Sequence, residues 1–279
     1  MNEVSDDHVE ESLHPLLIRG ARWRQGVDDF ATSSQRLPTR GSERGEDFGR
    51  TKDYLDPAYI ASGKLGAAHD AARAFSLLWS AGHVHHVADY ALLRTVIECA
   101  GAAWWVLEAP STQSRFVRAY TIARDDLESA RGRENLAVKF AQTGEGRLKR
   151  AAVVDRINQR LHQAETDMRS AGFGDEPIVQ KWKRFELVEV LRETQQRLPA
   201  PDLGFTLAWS MLSSLSHGSP TSILEFADTD PADAALVPQR HIETNADNVE
   251  ELAAAVDVLF RAANRQWHRY SDSVTTARC

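Results

Sequence analysis

Apolar residues recur at spacings of three and four along most of the chain, and no stretch shows the sustained period of two expected of a half-buried strand. From Asp56 onward this pattern predicts a succession of helices. Asp56 and Pro57 supply a capping carboxylate followed by proline at the first helical position, and Leu65, Ala68, Ala72, Phe75 and Trp79 then form one stripe up to Gly82. A second helix is predicted from about Val84 to Glu108, stopped by Pro110, and a third from Thr112 to about Gln142 with Ser111 as its cap. The fourth, near Arg147 to Ser170, places Val153, Val154, Ile157, Leu161, Ala164 and Met168 on one face. A fifth runs near Lys183 to Arg197 and a sixth from Phe205 to His217. The last begins near Asp247 and aligns Leu252, Val256, Leu259, Ala263, Trp267 and Tyr270. The expected fold class is therefore all-α, a multi-helix bundle of about seven helices around a buried central helix at residues 84–108.

Residues 1–50 read differently. They are polar and broken, ending in PTRGSERGEDFGRTKD, and are expected to form a flexible polar N-terminal arm beside a single helical domain at 51–279. Within the arm, His14 to Phe30 offers a short amphipathic segment through Leu16, Leu17, Ile18, Trp23 and Phe30 that would dock on the body. The stretch from Ser219 to Thr244, with Pro220, Pro231 and Pro238, is expected to be a surface loop that covers part of the body.

Composition adds bounds. Hydrophobic residues make up 42% and charged ones 26%, as in an ordinary soluble globular protein, and the net charge of −7 argues against a polyanion-binding surface spread over the molecule. A local basic run, RLKRAAVVDRINQR from Arg147 to Arg160, is read chiefly as a solvated helix face. Cys99 and Cys279 suit neither a disulfide framework nor a zinc site. Met1 is followed by an acidic segment without the apolar core of a leader, and the longest apolar run carries two charges. A reduced cytoplasmic protein, with no cofactor and no metal, is the expectation.

That apolar run, ALLRTVIECAGAAWWVLE, holds the most informative residues. Arg94 and Glu98 lie four apart, about 40° around the helix, among neighbours that are apolar in every direction. The Arg-first order is the weaker one for surface support, so a buried pair is the favoured reading, serving as an internal lock or as part of a site, with a surface position as the remaining alternative. The wheel places Val87, Ala91, Gly101 and Trp105 on the same face, where small residues admit a neighbouring helix. On the sixth helix Thr206, Ser210, Ser213 and His217 form a polar stripe beside Phe205, Trp209 and Leu212, and His217 also sits where the helix dipole favours a cation. Of the cluster His83, His85, His86 and Asp89, only His85 and Asp89 share a helix face, two ligands where a metal site needs three or four. Arg261 and His268 are one heptad apart, on a face with Asp257 and Asn264 opposite the apolar stripe of the last helix, which reads chiefly as solvated.

Together, LLRTVIECAGAAWW, RFVRAYTIARDDL from Arg115, and LSSLSHG resemble a group of bacterial helical proteins of unknown function, some distantly similar to HEPN domains. The group often carries an Arg and a Glu on a central helix and a Ser/His-Gly segment late in the chain. The first functional expectation is a polar centre of Arg94, Glu98 and His217, joined by Arg118 and Tyr120, that binds a small anionic ligand or a protein partner. The second is a HEPN-like, metal-independent ribonuclease of stress or phage defence. There His268 would be the general acid or base and Arg261 would stabilise phosphate charge. Ala262 departs from the polar residue that commonly follows the arginine in that motif. A third expectation is a homodimer formed through exposed aromatic residues of the last helix.

Overall fold

Asp56 caps a helix as its position predicts: its Oδ1 accepts from the Ala58 N–H at 2.7 Å. In the computed structural model, which describes residues 6–82, 87–173, 185–199, 203–217 and 246–272, every regular element among the described residues is helical. These are α1 (Asp6–Ser34), α2 (Glu43–Asp47), a 3₁₀ turn (Asp53–Leu55), α3 (Pro57–Ser80), α4 (Ala88–Leu107), α5 (Thr112–Phe140), α6 (Gly144–Ser170), α7 (Leu187–Arg197), α8 (Phe205–Ser216) and α9 (Ala246–Ser271). The protein is all-α. The expected helices from Asp56 onward correspond to α3 to α9, with ends shifted by a few residues. The loop expected at Ser219 to Thr244, and His83, His85 and His86, lie outside the described residues.

The chain divides into two compact units that interleave in sequence. The first comprises Met1–Arg36, Lys64–Trp104 and Leu187–Arg265, and the second Leu37–Gly63, Trp105–Glu186 and Gln266–Cys279. Each is described on its own.

In the first unit the stripe of α3 is buried at Leu65, Ala68, Ala72, Phe75 and Trp79, as its spacing predicts. Residues 6–34, expected to lie within a flexible arm, instead form a 29-residue helix. Leu16, Trp23 and Phe30 are buried while Leu17 and Ile18 stay exposed, so the amphipathic reading of this segment describes one face of α1. Gly20 permits the close approach of α3, because a Cβ there would lie 3.2 Å from that of Ser76. The Trp23 ring sits 5.8 Å from both Phe75 and Phe260, and Phe30 stacks on His69 at 4.7 Å. His69 donates from Nε2 to Asn264 Oδ1 at 2.8 Å, which satisfies one nitrogen of a buried imidazole.

The second unit is built on a helical hairpin. Three residues join α5 to α6, too few for anything but an antiparallel return, and the Thr143 hydroxyl caps α6 by accepting from the Gly146 N–H at 3.0 Å. Leu55, Phe116, Tyr120, Ala164 and Met168 form its core, with Phe116 stacked on Phe173 at 4.7 Å.

The aromatic residues Phe260, Trp267 and Tyr270 of α9 are all buried. The last helix therefore does not offer them as the dimer surface expected from the sequence. The apolar stripe to which Trp267 and Tyr270 belong takes them inward.

Candidate functional site

The expectation that α4 is buried on every side needs correction. Leu93, Val96, Ile97, Ala100 and Ala103 are buried, but Arg94, Thr95, Glu98 and Cys99 are only half-buried. The helix is long and apolar enough to cross a membrane by length and composition, yet most of it is enclosed by the fold. Gly101 explains the close packing on one side: a Cβ there would stand 3.0 Å from Leu191 Cδ2 of α7 and 3.5 Å from Leu259 Cδ2 of α9.

On the half-open face the expected ion pair is present, with Arg94 Nε donating to Glu98 Oε1 at 2.8 Å. The two side chains are 25% and 32% exposed, so the pair is no internal lock sealed from water. The neighbour across from it is α8. Arg94 Nη1 lies 2.9 Å from His217 Nε2 and 3.3 Å from Ser216 Oγ, while Trp209 donates its indole N–H to Glu98 Oε1 at 2.8 Å. One carboxylate oxygen thus takes two donors, and one guanidinium nitrogen takes two partners from the end of α8.

This contact selects a tautomer. A guanidinium only donates, so His217 Nε2 accepts and the ring N–H lies on Nδ1. His217 is exposed and is the C-terminal cap residue of α8, its backbone N–H donating to Ser213 O. The site therefore gathers a cation held by an acid and an imidazole whose Nδ1 donor has no partner among the described residues.

Thr206 and Ser210, placed on one stripe with His217 by the sequence, face a different opening. With Arg192 and Gln195 they line a groove of about 710 Å³ between α7 and α8. The Gln195 carboxamide occupies the space beside Gly204 and accepts from the Phe205 N–H at 3.1 Å.

Arg118 and Tyr120 belong to the second unit, where each has partners of its own. Arg118 donates to the Trp105 carbonyl at 2.6 Å and lies over the Trp105 ring at 4.9 Å. Tyr120 is buried, and its hydroxyl accepts from Arg124 at 2.6 Å. Burial raises the Tyr120 phenol's pKa, against the opposing pull of Arg124.

The sequence reading missed two buried acids that anchor ion-pair clusters, Asp257 and Asp47. Asp257, assigned to a solvated face, is 1% exposed because α1 covers it. Trp23 donates to its Oδ1 at 2.8 Å, and Arg19 and Arg261 pair with its Oδ2 at 2.9 and 3.0 Å. In the second unit Arg115 grips Asp47 with two bonds, Nε to Oδ2 at 2.7 Å and Nη2 to Oδ1 at 3.2 Å, and reaches Glu43 at 2.8 Å. Tyr270 donates to Asp47 Oδ2 at 3.1 Å. Burial, and then the Asp47 carboxylate, push the Tyr270 pKa far above its usual range. These two clusters are the ionic locks of the fold. Arg261 serves in the first of them, and His268 is half-buried in the second unit.

No protein-family model, curated protein or solved structure matches the chain, so its own geometry carries the functional argument.

Proposed function

We propose that the first unit binds a small oxyanion, a phosphate or carboxylate, at Arg94, with Glu98, His217 and Trp209 holding that arginine in place. The supporting observation is the constrained yet half-exposed guanidinium. Its Nε is tied to Glu98 and its Nη1 to His217 and Ser216, while no hydrogen bond occupies Nη2 among the described residues. An exposed i, i+4 ion pair contributes little to stability, so its value lies in orientation. A preorganised arginine loses less side-chain entropy when an oxyanion arrives, and its open Nη2 can donate a charge-assisted hydrogen bond to a carboxylate or phosphate oxygen. The exposed His217 adds its Nδ1–H as a second donor.

The group of helical proteins that the sequence resembles includes members distantly similar to HEPN domains. In this chain Arg94 shares one hydrogen-bonded group with His217, a second donor for an anion, so we favour Arg94 over Arg261 and His268 as the anion contact. We place the protein in the cytoplasm on the same reading, in keeping with Cys99, which forms no disulfide among the described residues.

The test is thermal unfolding of the full chain with increasing inorganic phosphate at constant ionic strength, because a ligand of the folded state raises the midpoint with concentration. The wild type should show a saturable rise that Arg94→Gln abolishes and His217→Ala reduces. An equal rise in Arg94→Gln would refute the assignment.

A further inference from the structure

The second unit contains a groove of about 530 Å³ that the Arg94 centre does not use. This volume lies in the range of small-molecule sites. Its walls are the rings of Tyr54 and Tyr59 together with Ala123 and Leu127, all apolar faces. Its polar groups are few: Arg160 and Gln163 from α6, and Asp126 from α5.

The walls are pinned from behind. Asp167 accepts the Tyr54 hydroxyl on Oδ2 at 2.8 Å and the Gln163 amide N–H on Oδ1 at 2.8 Å. This uses up the polar end of Tyr54 and leaves its ring as surface, while Gln163 keeps its amide oxygen as an acceptor. Burial and Asp167 raise the Tyr54 pKa, and Arg160 is near enough to act against that rise. Asp126 already has an interaction within the protein, whereas no carboxylate pairs with Arg160 among the described residues. The groove thus couples a partly aromatic interior to one cation, Arg160, which forms no ion pair among the described residues.

We infer that this groove is a binding site for a small amphipathic anion, a molecule with a planar apolar body that lies between Tyr54 and Tyr59 and an acidic group that meets Arg160. The apolar body is held by area removed from water, and the acid by a charge-assisted hydrogen bond to the guanidinium. The site is independent of the one proposed at Arg94.

The probe is 8-anilinonaphthalene-1-sulfonate, an aromatic body bearing a sulfonate, titrated by fluorescence into the full-length native protein. The wild type should bind it saturably at one site. Arg160→Glu should weaken binding about tenfold or more, the effect of losing one charge-assisted contact. Arg147→Glu makes the same charge change on α6, roughly 20 Å further along the helix, and should leave binding unchanged. Tyr59→Ala, at a residue 60% exposed, should weaken binding without disturbing the fold, and it decides the matter if Arg160→Glu unfolds. Unsaturable binding, equal losses in Arg147→Glu and Arg160→Glu, or wild-type affinity in Tyr59→Ala would overturn the inference.

Discussion

Arg94 Nη1 stands 2.9 Å from His217 Nε2, and because the guanidinium has only donors to offer, the contact selects one tautomer of the histidine. Neutral His217 should show Nε2 without a proton and Nδ1 with one in long-range ¹H–¹⁵N spectra. Arg94→Gln should release that preference. A wild-type ring with its proton on Nε2 would mean that the Arg94–His217 bond does not form in solution.

Stability should separate the half-exposed pair from the buried one. Asp47→Ala leaves Arg115 buried with its main partner gone, and a loss of about 3–5 kcal/mol is expected. Glu98→Ala, in contrast, should cost about 1 kcal/mol or less, since exposed ion pairs contribute little. Urea denaturation of the two variants checks the ranking, and equal losses would contradict it.

The same comparison marks what the sequence could reveal. Spacing located α3 to α9, since Leu65 to Trp79 and Leu252 to Tyr270 each form one apolar stripe and both stripes are buried. It also brought Arg94, Glu98 and His217 to notice, residues that share one hydrogen-bonded group. Burial was harder to read. Arg94 and Glu98 look enclosed because their neighbours in sequence are apolar, yet exposure depends on how far α8 and other elements reach across them. Asp257 looks solvated because the wheel shows only its own helix, while the residues that bury it lie on α1, with Trp23 removed by 234 positions. Helix α1 was itself hard to recognise, since its apolar residues are thinly spread among charges. The Asp47–Arg115 pair joins segments 68 residues apart, and no local pattern announces it.

Alkaline pH should unfold the protein through its tyrosines. Burial, with the Asp89 carboxylate adding to it, raises the Tyr90 phenol to about 12, and Tyr120 and Tyr270 are raised as well, chiefly by burial. A phenol with a raised folded-state pKa keeps its proton where the unfolded chain would lose it, so stability is intact below about pH 10 and falls as pH climbs beyond. Urea midpoints measured between pH 8 and 11, with tyrosinate absorbance, should show ionisation of these three residues together with unfolding. Midpoints that stay level to pH 11 would contradict this.

Asp56 presents a smaller effect with opposed parts. Burial raises its pKa, while the backbone N–H groups of Ala58 and Tyr59 favour its charged form. Because the net shift is upward, this carboxylate withdraws some stability as pH rises through and above its usual range. Asp56→Asn keeps the cap and removes the buried charge, so it should be neutral or stabilising at pH 7. Asp56→Ala loses the cap and should cost about 1 kcal/mol. Thermal melts of both variants give the comparison, and equal destabilisation would show that the charge, not the cap, matters.

The proposal that Arg94 is an anion contact is tested most directly at its own nitrogen. The side-chain ¹H–¹⁵N resonance of Arg94 Nε, assigned by its loss in Arg94→Lys, is followed while inorganic phosphate is added at constant ionic strength. A saturable shift is expected, larger than that of any exposed arginine such as Arg147 and diminished in His217→Ala. A response no larger than that of Arg147 would contradict an anion site at this centre.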